Sequence, residues 1–325
     1  MTSYIFRRFL NAIPILIGVN VITFSLFFLV NTPDDMARLQ LGVKRVTPEA
    51  IIKWKQEHGY DKPLLYNAIA TGLDKVTQTI FFEKSVRMFL FDFGHADDGR
   101  DIAREIHNRM GPSLAIAVPV FVIGLLVHIT FALMLVFFRG TYIDLWGVIL
   151  CVAMMSISAM FYIITGQYLI GKLWHLVPIS GYQSGFDSIR FVILPIVIGV
   201  ISGLGGSARV YRTFFLEELN KDYIRTARAK GLLERTILFK HLLKNAMIPI
   251  LTGAVVAIPL LFLGSLITES FFGIPGLGSY TIDAINSQDF AVVRSMVFIG
   301  SFLYIIGLLL TDISYTFVDP RVRLE

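Results

Sequence analysis

Six long apolar stretches divide the chain, and charged residues are concentrated between them. A helix needs about 20 apolar residues to cross a hydrocarbon core of about 30 Å. The pattern therefore predicts an all-α membrane protein with six transmembrane helices, at approximately 9–30, 113–138, 144–171, 191–208, 246–268 and 293–316. The fourth span is expected to be the shortest, because Arg209 and Arg212 follow it closely.

Composition supports this prediction. Of the 325 residues, 55% are hydrophobic and 16% are charged, with a mean hydropathy of +0.67, whereas soluble domains carry about 25% charged residues. The single cysteine, Cys151, provides neither a disulfide nor a cysteine metal site within the chain. The six histidines are scattered without metal-ligand spacing, so no active-site constellation is predicted.

The distribution of positive charge predicts the orientation in the membrane. The first apolar run follows Arg7 and Arg8 and is longer than a signal-peptide core, so an uncleaved anchor is favoured. With both termini in the cytoplasm, that side receives Arg7, Arg8, Arg139, the segment 209–244, Arg321 and Arg323. The segment 31–112 carries twelve basic and twelve acidic side chains, and we place it outside the cytoplasm.

The outer segment sets the predicted division of the chain. Residues 1–112 would form the first transmembrane helix plus the extracytoplasmic segment, and residues 113–325 a five-helix core. Residues 48–58 look helical, and 80–93 is expected to be an amphipathic segment lying on the membrane surface. A seventh span there is disfavoured, because Glu83, Lys84 and Arg87 would each cost about 2.5–3.5 kcal/mol to insert.

Polar residues inside the spans are few. His128 is expected to be a hydrogen-bonded interior histidine, and Asp312 to cap a helix or bond between helices, with a transport role as its alternative; neither residue supports a proton relay. Gly199 and Gly203 favour close helix packing over a hinge or a pore lining, although both could hold. A polar face of the third span would line a transport pathway or bond between helices, two alternatives that stay open; its members are Ser156, Ser158, Thr165 and Gln167.

The string Gly94-His-Ala-Asp-Asp-Gly-Arg-Asp101 has the glycine spacing of a phosphate-binding loop. The lysine and the hydroxyl residue that such a loop needs are replaced by arginine and aspartate. The aspartates would also repel nucleotide phosphates, so ATP hydrolysis by this chain is not expected.

The segment 209–245 is the most informative stretch. Between residues 209 and 244 it holds nine basic and four acidic side chains. A helix is predicted up to Lys230, Gly231 supplies the positive φ that ends it, and a second helix returns to the membrane. This arrangement predicts a compact knob that a neighbouring protein could grip, although a basic loop held against anionic lipid is the alternative.

The same segment resembles the EAA loop of ABC-importer permeases, in which A-x-x-x-G introduces a coupling helix, here Ala227 to Gly231. The chain is most similar to the B-type permease of dipeptide and oligopeptide importers. Collinear motifs carry this resemblance along nearly the whole chain: Asp92-Phe93-Gly94, Ile106 to Pro112 with Arg109, Val177-Pro178-Ile179-Ser180-Gly181, Pro275-Gly276-Leu277-Gly278 and Asp319-Pro320-Arg321-Val322-Arg323.

The resemblance implies a bacterial plasma (inner) membrane subunit of a peptide importer that is not itself an enzyme. It implies as partners a second, homologous C-type permease, two ABC ATPase subunits that bind ATP and magnesium, and an extracytoplasmic substrate-binding protein. Membrane lipid is expected as a further partner, and nucleic acid is not. The residues expected to dock on the ATPases are Arg225, Thr226, Ala227, Arg228, Ala229, Lys230, Gly231 and Leu232.

Alternative functions remain at this stage. The same machinery could carry a nickel complex, an antimicrobial peptide or an oligosaccharide. An ion-coupled secondary carrier would need carboxylates near the membrane midplane and inverted repeats, which the sequence does not show. A membrane-embedded enzyme ranks last, because no cluster of acid, base or metal ligands is visible.

Overall fold

The computed structural model describes residues 2–42, 46–183, 185 and 187–318. The predicted tail motif at 319–323 lies outside the described residues. Helices make up the described chain, and its β structure is limited to an isolated bridge between His95 and Asp101. The all-α prediction is therefore confirmed.

Fifteen α-helices are described: α1 Thr2–Ser25, α2 Pro33–Leu41, α3 Pro48–His58, α4 Asp74–Thr77, α5 Ile80–Lys84, α6 Ile102–Phe137, α7 Tyr142–Met155, α8 Ala159–Gly166, α9 Ser188–Leu219, α10 Asp222–Ala229, α11 Glu234–Thr236, α12 Leu243–Leu260, α13 Leu266–Phe272, α14 Leu277–Ser287 and α15 Phe290–Val318. Short π-helical or 3-10 segments occupy Leu26–Val30, Val86–Leu90, Gln167–Leu173, Ile237–Leu242 and Leu261–Leu263.

Five helices are long and apolar enough to cross a membrane: Leu10–Val30, Ile102–Phe137, Ser188–Leu219, Glu234–Leu263 and Phe290–Ile313. The pair α7 and α8, extended to Leu173, would be a sixth span if its two halves are counted together. Six spans were predicted, and the described residues hold six on that count.

The third span is not the straight helix that was predicted over 144–171. Its two halves are bent by 92° at residues 156–158. The Ser158 hydroxyl accepts a hydrogen bond from the Phe161 amide at 3.3 Å and so begins a new helix. The hydroxyl of Tyr162 donates to the Met154 carbonyl at 3.0 Å across the bend.

Two further span boundaries were wrong. Helix α9 does not end near residue 208 but continues through Arg209 and Arg212 to Leu219, because its backbone hydrogen bonds are made within the helix and persist outside the hydrocarbon core. The fifth span ends at Leu263 and not at 268, since Gly264 has φ +69° and a separate helix, α13, follows.

The described chain forms two compact units. One contains the chain up to Met110 together with Tyr280–Leu309, and the other contains Gly111–Ser279 and the chain from Leu310. In the first, a core forms around Phe24, Phe28, Met36, Trp54 and Ile80. Sequence signals set its helices: Thr47 caps α3, and Gly59 ends that helix in the left-handed conformation.

The segment 80–93 also differs from the expected surface-lying amphipathic helix. It forms two short helices, α5 and Val86–Leu90, and buries Ile80 and Met88. Burial of these side chains against the first unit's core stabilises it more than a position on the surface would. Each of these two helices has five residues, too few to cross a membrane, as expected for a segment that is not a seventh span.

In the second unit, helices pack closely where the sequence provides small residues. A Cβ at Gly199 would lie 2.9 Å from Val120, and one at Gly205 would lie 2.6 Å from the Cys151 carbonyl oxygen. The predicted close packing at the G-x-x-x-G pattern of α9 is therefore confirmed.

Candidate functional site

The predicted knob consists of α10 and the turn that follows it to Leu233. The helix ends as the glycine predicted: Gly231 has φ +73°. The amide of Leu232 donates to the Ala227 carbonyl at 3.3 Å, and the amide of Gly231 donates to the Arg228 carbonyl at 2.9 Å. These two hydrogen bonds form a Schellman motif, which fixes the direction in which the chain leaves the helix.

The inner face of α10 is anchored in the second unit. Ile224 is fully buried and Ala227 nearly so. They belong to the same apolar cluster as Phe215, Ile237 and Leu242. Because these partners lie at the end of α9 and at the start of the helix that leads to Leu263, α10 is fixed to two spans at once.

The outer face of α10 is polar and basic with an apolar end. Six of the eight residues predicted to dock are exposed: Arg225, Thr226, Ala229, Lys230, Gly231 and Leu232. Ala227 faces the chain's own core, and Arg228 is half-buried. Leu233, which was not among the predicted residues, is 76% exposed and extends the apolar end of this surface.

Hydrogen bonds and ion pairs hold the polar side chains of the knob. Arg228 binds Glu234 through its Nε at 2.7 Å, across the turn. The Tyr223 hydroxyl donates to Glu218 Oε2 at 2.6 Å. Burial, together with this hydrogen bond, raises the pKa of Tyr223 to about 12. The tyrosine therefore stays a neutral donor at physiological pH.

Two adjoining grooves follow the helices of the second unit. One, of about 420 Å³, is lined by residues of α6, α9 and the segment 260–269, and by Ala159 at the start of α8 beside Ser158. Its polar members are Ser113, Ser202, Ser265, Thr268 and Glu269. The other, of about 470 Å³, lies between α6, α9 and α12 and includes His128. The two grooves share Val120, Phe121 and Gly199.

The four predicted pathway residues lie elsewhere. Ser156 and Ser158 stand at the bend between α7 and α8, where each hydroxyl bonds local backbone. Gln167 donates to the carbonyl oxygens of Ile179 and Phe271, both at 3.0 Å, and Thr165 is half-buried. None of the four is among the described residues that line the two grooves, and their role in a pathway stays a prediction.

Glu269 is a buried carboxylate at the end of the first groove, with 2% of the residue exposed. Its Oε2 accepts hydrogen bonds from the amides of Gly278 at 2.7 Å and Ser279 at 3.1 Å. Its Oε1 accepts one from the Ser265 amide at 3.2 Å. Burial raises the pKa of the Glu269 carboxyl, and these hydrogen bonds, with a further one from Ser113, oppose that shift.

The motif Pro275-Gly276-Leu277-Gly278 is the loop that surrounds this carboxylate. A Cβ at Gly276 would lie 2.2 Å from Glu269 Oε2, so only glycine leaves room for the carboxylate. The Leu277 amide donates to Ser113 Oγ at 2.8 Å. The glycine loop, α6 and α13 are thus tied together through one acidic side chain.

Glu269 is not among the residues predicted for the site, although the sequence around it carries a signal. A carboxylate directly after an apolar span, followed within ten residues by Pro-Gly-Leu-Gly, indicates a charge that a glycine loop can surround with amides. His128 behaves as predicted: its Nε2 lies 2.9 Å from the Val200 carbonyl oxygen. No group of three or more His, Cys, Asp or Glu side chains in the described part of the chain is arranged to hold a metal.

Comparison with known proteins identifies relatives along the whole chain. The family described as "Binding-protein-dependent transport system inner membrane component" matches residues 109–324. The description "Binding-prot-dependent transport system membrane comp, N-term" matches residues 1–87.

Individual relatives are similar over essentially their full length. A Brucella abortus protein provisionally named as a peptide transport system permease is 31% identical over 336 residues, 100% of both chains. The di/tripeptide transport system permease protein DppB of Pseudomonas aeruginosa is 31% identical, covering 99% of both chains. The oligopeptide transport system permease protein AppB of Bacillus subtilis is 28% identical, covering 99% of this chain and 100% of the relative.

Proposed function

The chain belongs to the family of binding-protein-dependent transport system inner membrane components, and we propose that it is the permease subunit of an ATP-driven importer of peptides. In this role it forms half of a translocation pathway in a bacterial inner membrane, with its termini in the cytoplasm. The relatives named as peptide, di/tripeptide and oligopeptide permeases support the substrate class.

The observation that carries the coupling role is the double anchoring of α10. Its outer face is free for a partner, and its inner face shares a core with the ends of two spans. A rigid element held in this way transmits a displacement of its partner to the spans as a rigid-body movement. We assign the outer face, from Arg225 to Leu233, to contact with one of two ATPases, which would bind ATP and magnesium themselves.

The two grooves are the best-supported part of this chain's pathway. Their polar members are mainly hydroxyl side chains, and their one buried carboxylate, Glu269, is already engaged by backbone amides. A neutral, hydroxyl-bearing surface can exchange hydrogen bonds with the backbone of many peptides without selecting a side-chain charge. A homologous second permease would cover the open sides, and an extracytoplasmic binding protein would deliver the peptide.

The test is ATP-driven uptake of a labelled peptide by proteoliposomes that contain the complete importer. Ala229→Trp adds bulk to the exposed face of α10 where the backbone is unstrained, and it is expected to abolish uptake while assembly in the membrane persists. Glu217→Trp places the same side chain on the exposed surface of α9 and is expected to preserve uptake.

Gly231 provides a second test with its own control. Gly231→Trp adds both bulk and backbone strain at φ +73°, whereas Gly231→Ala adds the strain with little bulk. Loss of uptake in the tryptophan variant alone would assign the effect to contact with the ATPase. Undiminished uptake in both tryptophan variants at 229 and 231 would refute the coupling role, and uptake that survives ATP depletion would indicate a secondary carrier.

A further inference from the structure

Arg294 is a buried cation of the first unit that makes no direct ion pair with a described carboxylate. Only 3% of the residue is exposed. Its Nε donates to the Phe290 carbonyl at 3.1 Å, and its Nη1 donates to the Lys84 carbonyl at 3.5 Å. The guanidinium lies 4.9 Å from the centre of the Phe28 ring. Among the described residues, no carboxylate oxygen lies within 4 Å of this guanidinium. Asp97 and Asp289 stabilise its positive charge only from beyond 4 Å. A buried guanidinium without a direct anionic contact is therefore a candidate to bind an anion.

Lys84 is a second cation beside the same space. Its side chain is half-buried, and its Nζ lies 5.2 Å from the centre of the Tyr60 ring. Within the described chain it also has no carboxylate within 4 Å. Burial lowers the pKa of Lys84, and the positive charge of Arg294 lowers it further, while the carboxylates of Glu83 and Asp97 oppose this shift. An anion between the two cations would relieve this repulsion.

A cavity of about 120 Å³ lies where these cations meet. Its charged and titratable lining consists of Glu83, Lys84, Arg87, Asp92, His95 and Arg294. The two carboxylates are already engaged: Glu83 binds Lys62, and Asp92 lies 3.8 Å from Arg87. Three basic side chains and two acidic ones line the cavity, so its lining carries a net positive charge, and its volume fits one oxyanion group.

The neighbouring aromatic residues place the cavity beside an apolar span. Phe89 and Phe91 make edge contacts with Phe298 and Phe302, which lie further along the apolar helix that contains Arg294. Leu90 is 81% exposed in the same segment. An exposed leucine between aromatic side chains suits contact with acyl chains, and cations one turn away suit the level of the headgroups.

We propose that Arg294 and Lys84 form a binding site for a phosphate group, carried by a phospholipid whose acyl chains lie against Leu90 and Phe91. A guanidinium with free donors is the side chain best suited to a phosphate oxygen pair, and the nearby lysine adds charge. The site is separate from the coupling surface and from the grooves, so it requires neither a transported substrate nor an ATPase.

The experiment measures thermal unfolding of the full-length chain in detergent after phospholipid has been removed. Three additions are compared: dioleoylphosphatidylglycerol, dioleoylglycerol with the same acyl chains but no phosphate, and inorganic phosphate. The phospholipid is expected to raise the melting temperature of the wild type, because a ligand that binds only the folded state stabilises it. Dioleoylglycerol and inorganic phosphate are expected to raise it far less.

Three variants test the residues. Arg294→Met and Lys84→Met should each need about tenfold more phospholipid for the same shift, the loss expected for one charge-assisted hydrogen bond. Lys53→Met removes a lysine whose side chain is 78% exposed and should respond like the wild type. Native mass spectrometry of the same samples should show one fewer retained phospholipid in the first two variants.

Each outcome decides the proposal. A wild-type response to the phospholipid in both Arg294→Met and Lys84→Met would overturn the site. An equal response to inorganic phosphate, lost in Arg294→Met, would overturn the lipid as source while supporting the phosphate chemistry. If Arg294→Met fails to fold, Lys84→Met decides alone, because its side chain is only half-buried.

Discussion

Glu269 and Arg294 are two charges buried to nearly the same extent, at 2% and 3% exposure, in different units of the chain. The carboxylate of Glu269 receives three backbone amides and a serine hydroxyl. The guanidinium of Arg294 has two carbonyl contacts and an aromatic ring, and no described carboxylate within 4 Å. The first charge is bonded directly by groups of the chain and stabilises a local structure, whereas the second has no direct anionic contact and is where we propose a ligand.

The difference has a geometric cause. A glycine loop can direct successive amides at one point, so a carboxylate beside it is satisfied without any basic side chain. A guanidinium has five donors in one plane, and a helix that carries it offers only its own carbonyls, most of them already bonded. Buried arginine therefore depends on a partner from another segment or another molecule.

The largest effect expected from this comparison is that of Glu269→Gln. The amide nitrogen would replace an acceptor that faces backbone donors, and the variant should lower the free energy of unfolding by about 3 kcal/mol. Unfolding of the full chain in mixed micelles with increasing dodecyl sulfate measures this. Arg294→Met is the contrast: without phospholipid it should cost less than about 1 kcal/mol, since it removes a buried charge that has no direct ion pair. If Glu269→Gln and Arg294→Met lowered the free energy of unfolding equally, the proposed difference between the two buried charges would be wrong.

An arginine that does have its carboxylate sharpens the comparison. Arg212 binds Asp144 through two hydrogen bonds, of 3.0 and 2.8 Å, and both side chains are largely buried. Asp144→Asn should therefore lower the free energy of unfolding by about 2 kcal/mol, in the same micelle titration. Added phospholipid should leave this loss unchanged. Recovery of stability with phospholipid would contradict the division between internally and externally balanced arginines.

Among the side chains that bond a partner within the chain, the smallest effect is expected for Tyr223, a neutral donor to the carboxylate of Glu218. Its pKa is raised from 10.0 to about 12 in the folded chain, so the unfolded chain ionises first as pH rises. The stability that this tyrosine contributes is present below pH 10 and is lost between pH 10 and about 12. Thermal unfolding should show Tyr223→Phe about 1 kcal/mol less stable than the wild type at neutral pH. A difference that stays constant up to pH 12 would refute the assignment.

The sequence predicted the spans well because length and apolarity are local properties. The predicted helix boundaries were wrong where a cap or a tertiary contact decides them. Ser158 caps a new helix inside an apolar run. Helix α9 continues past the expected end of its span, where Arg212 forms an ion pair with Asp144. The hydrogen bond that holds Arg212 joins residues 68 positions apart. No pattern within a window of 20 residues contains such a pair.

In the candidate site, the features predicted correctly are those that depend on the residues of one short segment. The end of α10 at Gly231 follows from the glycine alone, and the structure confirms its positive φ. The orientation of α10 does not follow in the same way. Ala227 is buried and Leu233 is exposed. The buried side of α10 is the one that packs against Phe215, Ile237 and Leu242 of two other helices.

The sequence by itself determined that this chain is helical, crosses a membrane several times and carries a basic turn between two spans, because each property depends on neighbouring residues. Tertiary structure alone decided which charges are balanced. Glu269 meets the glycine loop and Ser113, which lies 164 residues before Leu277. Arg294 contacts Phe28 and the Lys84 carbonyl, with no described carboxylate within 4 Å. The energy of a buried charge depends on groups brought together from distant segments, and only the folded chain brings them together.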